Sequence, residues 1–326
     1  MAARDSRTPR TSGKSRTGGK PSASAKPRTS AKPRASTKPR TLAKSGKPHR
    51  DARPPRHPAA AGKRPSQRGQ RPPRRYEEAA PPPQDNLARI SGVAAVTALF
   101  AMSPKRVMRL FFDERTRPTV APYLAELGKA RKPYRELPGD ELARVAGTPM
   151  HGGVVALAQP RPVLTFDVGE AERWAMDGKP LLLLDGIGNP QNLGAIARTA
   201  AFFGLPRIVL SDHPGQAAPS DASYRIAEGG LEYINVYRCE GFAPALTRLR
   251  RTYRVVGTSA ESGLPLSALR ATGKPVALVL GNEEKGLPRA TLDACDQVIT
   301  LRGGGRVQSL NVSATAAILI QMLAAT

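Results

Sequence analysis

Apolar positions divide the chain into stretches of different character. Up to Leu87, Met1 and Leu42 are almost the only large apolar residues, so this stretch cannot bury enough surface to offset its ordering entropy. From residue 88 the spacing turns helical. Ile90, Val93, Val96, Leu99 and Phe100 recur every three or four residues, which predicts an amphipathic helix with Ser91 as its cap. Apolar groups follow at Val107, Leu110, Phe111 and Phe112 and around Tyr123, Leu124 and Leu127, and Gly152-Gly153 leads into a run from Val154 to Leu157 that reads as a buried strand. Together they predict a small α/β domain over 88–158. Residues 159–178, with Pro160, Pro162 and mixed charge through Glu170 and Glu172, predict a linker with one short helix.

Beyond residue 179 the runs have strand length: Leu181 to Leu184, Ile208 to Leu210, Val255 to Gly257, Val276 to Leu280 and Val298 to Leu301, mostly separated by helical patterns. That alternation predicts an α/β domain with a parallel sheet covered on both faces. Ligands of such sheets bind beyond the carboxyl ends of the strands. The loop after the first strand runs Asp185-Gly186-Ile187-Gly188-Asn189-Pro190-Gln191-Asn192. A third glycine of a dinucleotide fingerprint would fall on Gln191, and no phosphate loop of the GxxxxGK[ST] type occurs, which argues against nicotinamide and nucleoside-triphosphate enzymes. Asn192 is placed to cap the next helix, and Arg198 lies one turn beyond Gly194 and Ala195, above small side chains where a phosphate or ribose could come close. The strand ending at Leu280 enters Gly281-Asn282-Glu283-Glu284-Lys285-Gly286, a turn that holds a carboxylate near backbone amides. The last strand leads through Arg302-Gly303-Gly304-Gly305 to Ser309-Leu310-Asn311-Val312-Ser313 and an apolar C-terminal helix, which Ser309 or Asn311 can cap. His151, alone before its glycines, reads as structural or exposed.

Charge adds a partner class. The 326 residues hold 51 Lys and Arg against 26 Asp and Glu, net +25, which points to nucleic acid. Residues 1–87 carry 23 of those cations and 5 of the acids, leaving only +7 on residues 88–326. Three Lys-Pro-Arg triplets between Lys26 and Arg40 predict a disordered, partly extended tail that binds RNA or DNA phosphates without reading sequence. A purely solubilising tail and a transit peptide are its rivals, and the regular prolines oppose the amphipathic helix that a transit peptide needs. Cys239 and Cys295 are the only cysteines and have no metal-ligand spacing, so neither a disulfide framework nor a metal site is expected. No apolar run reaches membrane-span length, and the cytoplasm is the expected compartment.

Taken in order, the three loop segments resemble the signatures of the SpoU or TrmH class of SPOUT RNA methyltransferases: N-x-G-x-x-x-R at Asn192 to Arg198, G-x-E-x-x-G at Gly281 to Gly286, and S-L-N-V-S at Ser309 to Ser313. Upstream, Ser91-Gly92-Val93 and His151 to Val155 are similar to the ends of the small ribosomal-protein-like RNA-binding domain of that class. The resemblance implies a C-terminal domain over 179–326 whose chain threads a trefoil knot, against the usual rule for chain connections. It also implies a homodimer, S-adenosylmethionine as cofactor held largely by backbone at Gly281, Leu301 and Leu310, and methyl transfer to a ribose 2'-hydroxyl of tRNA or rRNA. Arg198 and Asn192 would face the acceptor, and Glu283, Ser309 and Asn311 would complete the site. A guanidinium with its ordinary pKa of about 12.5 to 13.8 is a poor base at neutral pH, so Arg198 is expected mainly to orient the acceptor. Arg302 and Gly303 stand where members often have Pro and Met, and Glu284 where many have Gly. The alternative is a non-catalytic RNA-binding or ribosome-assembly protein that keeps the knotted fold; the intact polar residues weigh against it.

Overall fold

The computed structural model describes residues 87–270 and 273–324. The basic tail expected over 1–87 lies outside them except for Leu87. The first elements are β1 (Ala88–Ser91), α1 (Val93–Met102), β2 (Val107–Phe112), α2 (Arg117–Lys129), β3 (Tyr134–Glu136), α3 (Gly139–Ala146) and β4 (Val154–Ala158). They form a four-stranded sheet of order β1-β4-β2-β3, in which β4 is antiparallel to both β1 and β2. Ile90 belongs to this sheet, opposite Ala156, and not to the helix that its spacing suggested. Ser91 is likewise a strand residue: the break comes at Gly92, whose φ of 97° turns the chain from β1 into α1. The turn before β4 is tight. A Cβ on Gly153 would come within 2.5 Å of the Thr116 methyl, and its amide donates to Nδ1 of the buried His151 at 3.1 Å, which gives that histidine a structural role.

The remaining elements are β5 (Leu164–Thr165), α4 (Val168–Trp174), β6 (Leu181–Asp185), α5 (Pro190–Phe202), β7 (Arg207–Leu210), α6 (Asp221–Ala227), α7 (Gly230–Tyr233), β8 (Asn235–Arg238), α8 (Phe242–Leu249), β9 (Arg254–Thr258), β10 (Val276–Gly281), α9 (Arg289–Ala294), β11 (Gln297–Ile299) and α10 (Val312–Ala324). Their seven strands make one sheet of order β11-β9-β10-β6-β7-β8-β5, and every pairing in it is parallel. Each of the five strands expected in this domain is present. The two that patterning missed, β5 and β8, sit together at one edge: β5 has only two residues, and β8 places just Val236 and Tyr237 in the core between polar Asn235 and Arg238.

Alternation along the central strands sends side chains to two cores. Leu182, Leu184, Ile208, Leu210, Leu278 and Leu280 pack with Leu193, Ile196 and Ala200 of α5 and with Ala316, Leu319 and Ile320 of α10. Leu181, Leu183, Val209, Ala277 and Val279 pack on the opposite face with Ala171 and Trp174 of α4 and with Leu246 and Leu249 of α8. A sheet buried on both faces explains why these strands read as continuous apolar runs. The first core also takes in Ile90, Val96, Leu99 and Leu110, so the small domain and the parallel sheet share it. Among the described residues no helix is long and apolar enough to cross a membrane.

Candidate active site at the carboxyl ends of the strands

Three loops from separate parts of the chain converge at the carboxyl ends of β6 and β10 and at the start of α10. Asn189, not Asn192, caps α5: its side-chain oxygen accepts from the Gln191 amide at 2.8 Å. Pro190 occupies the first helical position, where its missing N–H costs nothing. The cap three residues earlier leaves Asn192 inside the first turn, buried and free to use both ends of its amide. Its Nδ2 donates to the Glu283 carboxylate, and its Oδ1 accepts from Asn311 Nδ2 at 3.1 Å. Asn311 in turn caps α10, its Oδ1 accepting from the Ser313 amide at 2.8 Å and the Ser313 hydroxyl at 2.6 Å. One residue of each loop signature is thereby linked into a single polar chain, Glu283–Asn192–Asn311.

The loop that carries Glu283 is held from inside by Asn282. Its Oδ1 accepts from the Glu284 and Lys285 amides at 2.9 and 3.0 Å, and its Nδ2 donates to the Gly186 carbonyl at 3.0 Å. Backbone bonds between Asn282 and Gly286 close the turn. Gly281 is required beneath it, since a Cβ there would lie 2.6 Å from the Gly286 carbonyl carbon. The facing loop after β6 is pinned by buried Gln216, which accepts from the Ile187 amide at 3.0 Å and donates back to its carbonyl at 3.2 Å. Asp185 at the end of β6 is buried and accepts from the Thr291 hydroxyl at 2.6 Å. Sequence reasoning missed Asn282, Gln216 and Thr291. For Asn282 a signal was available, because an Asn immediately after a strand-end glycine favours a side-chain-closed turn.

The other candidate residues are placed differently. Leu301 is half-buried, Ser309 and Leu310 are exposed, and Ser309 makes no hydrogen bond within the described chain. Arg198 is not part of the polar chain. Six residues beyond Asn192, it is about 9 Å along the helix axis and about 120° around it, and its Nη2 pairs with Glu228 Oε2 at 2.8 Å. Gly194 does not clear space for a ligand: it is buried against α6, where a Cβ would come within 2.5 Å of the Ser223 carbonyl oxygen. The glycine serves helix packing.

The surroundings fit the cofactor that the resemblance implies. The Thr300 hydroxyl is buried without a partner at the head of the 300–311 loop, next to Leu301, and so leaves one polar group to be satisfied there. Backbone groups of the 282–286 and 300–311 loops and the side chains of Leu301 and Leu310 would border it. The thiols of Cys239 and Cys295 are pushed up to about 12, mainly by burial, which keeps them protonated and inert. Among the described residues no group of His, Cys, Asp or Glu is arranged to hold a metal. A separate cleft of about 230 Å³, lined by residues including Arg89, Asp221 and Arg225, shares no residue with the site.

Comparison with known proteins follows the same division. Residues 179–321 match the model of the SpoU rRNA Methylase family, and residues 89–164 match that of the RNA 2'-O ribose methyltransferase substrate-binding domain. The chain is 33% identical over 237 residues to the 23S rRNA (guanosine-2'-O-)-methyltransferase RlmB of Acinetobacter baylyi, covering 69% of this chain and 92% of that one. It is 34% identical over 233 residues to YfiF of Escherichia coli O157:H7, an uncharacterized tRNA/rRNA methyltransferase, covering 71% of this chain and 66% of YfiF. The fold is similar to that of an AdoMet-bound rRNA methyltransferase from Sinorhizobium meliloti, with a TM-score of 0.60 at 21% identity over 73% of this chain and 87% of that one.

Proposed function

This chain belongs to the SpoU family of RNA 2'-O-ribose methyltransferases, and we propose that it transfers a methyl group from S-adenosylmethionine to a ribose 2'-hydroxyl of ribosomal RNA, acting as a homodimer. The linked chain Glu283–Asn192–Asn311 at the strand ends carries the reading. It is a prearranged polar floor assembled from the first turn of α5, the 281–286 turn and the cap of α10. The choice of ribosomal RNA rests on the 23S rRNA substrate stated for RlmB, a relative whose length the chain nearly spans. The dimer is supported by large apolar side chains left at the surface of helices that pack together, Phe202 on α5 and Ile318 on α10.

When bound, S-adenosylmethionine supplies an electrophilic methyl on a positively charged sulfur. The ribose 2'-oxygen would accept that methyl, and its hydroxyl proton would pass to solvent. Much of the residues' work is then positioning, which alone can supply several orders of magnitude in rate. Asn192, fixed at both ends of its amide, presents a rigid edge to the acceptor. Arg198 would offer its guanidinium to the phosphate next to the reacting ribose. Gly281, Leu301 and Leu310 would border the cofactor, and Ser309, with its hydroxyl unclaimed, would offer a hydrogen bond to substrate.

The test is transfer of labelled methyl to rRNA from the native host, with the protein's mass measured by sedimentation. Label should appear in alkali-resistant ribose-methylated dinucleotides, and Arg198→Ala should lower the single-turnover rate about a hundredfold or more with the fold intact. Cofactor binding without transfer to any rRNA or tRNA would overturn the reading in favour of an RNA-binding protein.

A further inference from the structure

Glu228 pairs with Arg198, and its backbone is unusual. It lies in the left-handed region at φ 44°, one of only two non-glycine residues with positive φ among the described residues. Glutamate has no short side chain to ease that conformation, and a glycine would adopt it without strain. The strain does not return as stability through the ion pair. Arg198 and Glu228 side chains are 57% and 52% exposed, and pairs in water at that exposure add little. A residue that costs stability and returns little is the signature of a functional constraint.

The turn that carries Glu228 is fixed with little latitude. A Cβ on Gly229, itself at φ 93°, would lie 2.7 Å from the Ala98 side chain and 3.1 Å from the Ala94 carbonyl oxygen, both on α1 of the small domain. A Cβ on Gly230 would lie 2.9 Å from the Arg198 Cα and 3.1 Å from the Ala197 carbonyl oxygen, on α5. The turn is wedged between the two helices, with backbone in contact on both sides. Its carboxylate therefore reaches Arg198 from a rigid mount whose position depends on how α1 is seated.

We propose that Glu228 is a positioning residue for methyl transfer: it orients the Arg198 guanidinium toward the acceptor, and the Glu228-Gly229-Gly230 turn ties that orientation to the docked small domain. The proposal rests on the role given to Arg198 above. A guanidinium on a long, exposed side chain samples many rotamers, and a carboxylate on a fixed turn removes most of them before substrate arrives. The pair also leaves nitrogens of the planar fork free to receive a phosphate oxygen.

The experiment measures single- and multiple-turnover methyl transfer on the full chain with Glu228→Gln, Glu228→Asp, Glu228→Gly, Arg198→Ala and the double variant Arg198→Ala/Glu228→Gln. Glu228→Gln should lower kcat about tenfold while KM for RNA stays within about twofold, and Glu228→Asp should recover most of that loss. Glu228→Gly, which relieves the strain, should melt at or above the wild-type temperature while losing activity, an outcome a merely structural glutamate cannot give. The double variant should be no slower than Arg198→Ala alone, because the glutamate acts through the arginine. If Arg198→Ala is crippled but Glu228→Gln is as fast as wild type or faster, the positioning role is wrong and the arginine's role stands. If Arg198→Ala itself is fully active, the assignment of the acceptor site fails first.

Discussion

At the scale of single residues, the site is held together by carboxamides that use both ends of the side chain. Asn192 donates to one loop and accepts from another, while Asn282 accepts within its own turn and donates to the loop after β6, and a carboxamide can do both with fixed geometry. Asn282→Ala removes three bonds that hold the 281–286 turn over the expected cofactor site. Its stability should fall by about 1–3 kcal/mol and its affinity for S-adenosylmethionine by about tenfold, read by urea titration and by calorimetry on the still-folded protein. Unchanged affinity would mean that the turn keeps its shape without Asn282. Arg198, Asn192, Glu283, Ser309 and Asn311 were all legible in the sequence as candidates because each sits in a short ordered signature. That three of them touch while Arg198 pairs elsewhere was not legible, since signatures give order along the chain and not direction in space.

At the scale of elements, helix α5 shows how one segment serves packing and chemistry on different faces. Leu193, Ile196, Ala197 and Ala200 bury into the core, Asn192 faces the loops, and Gly194 lets α6 approach until backbone meets backbone. The periodicity that predicted this helix identified its buried face correctly. It assigned Gly194 to substrate access, because a small residue that admits a ligand and one that admits a neighbouring helix look alike in a single sequence. Gly194→Ala therefore tests packing: it should cost about 1–3 kcal/mol as the α5–α6 contact is forced apart, seen as an earlier thermal transition. A variant as stable as wild type would show that α6 moves away freely. The misplaced cap has a similar origin. Asn189 and Asn192 are both good capping residues, and only the position of Pro190, which suits the first helical turn, distinguishes them.

At the scale of the whole molecule, the small domain and the parallel sheet share one core, and a buried ion pair joins them. Arg106 Nη1 lies 2.6 Å from Glu232 Oε2, with the two side chains 15% and 1% exposed. Burial raises the Glu232 carboxyl above its ordinary value, opposed by the cations Arg106 and Arg161. A raised folded value means that the folded state holds the proton more tightly than the unfolded chain, so this group's contribution to stability is complete below about pH 4.5 and is lost as pH rises through the folded value. Arg106→Ala strips the main counter-charge. It should lower stability by about 3–5 kcal/mol at neutral pH, and urea titrations across pH should show the deficit shrinking as Glu232 protonates. A deficit that does not vary between pH 4 and pH 8, on the order of the window set by a carboxyl group, would mean that Arg106 acts by packing alone.

The amino-acid sequence alone determined the α/β class, five of the seven strands of the parallel sheet and the loops in which the polar residues lie. It could do so because doubly covered strands, amphipathic helices and glycine-bearing loops each leave a local pattern of spacing. Only the tertiary structure decided that Glu283, Asn192 and Asn311 form one hydrogen-bonded chain, that Gly194 packs a helix, and that the left-handed turn at Glu228 meets both α1 and α5. Those facts depend on backbones that approach within van der Waals contact after dozens of intervening residues. No local period encodes such an approach.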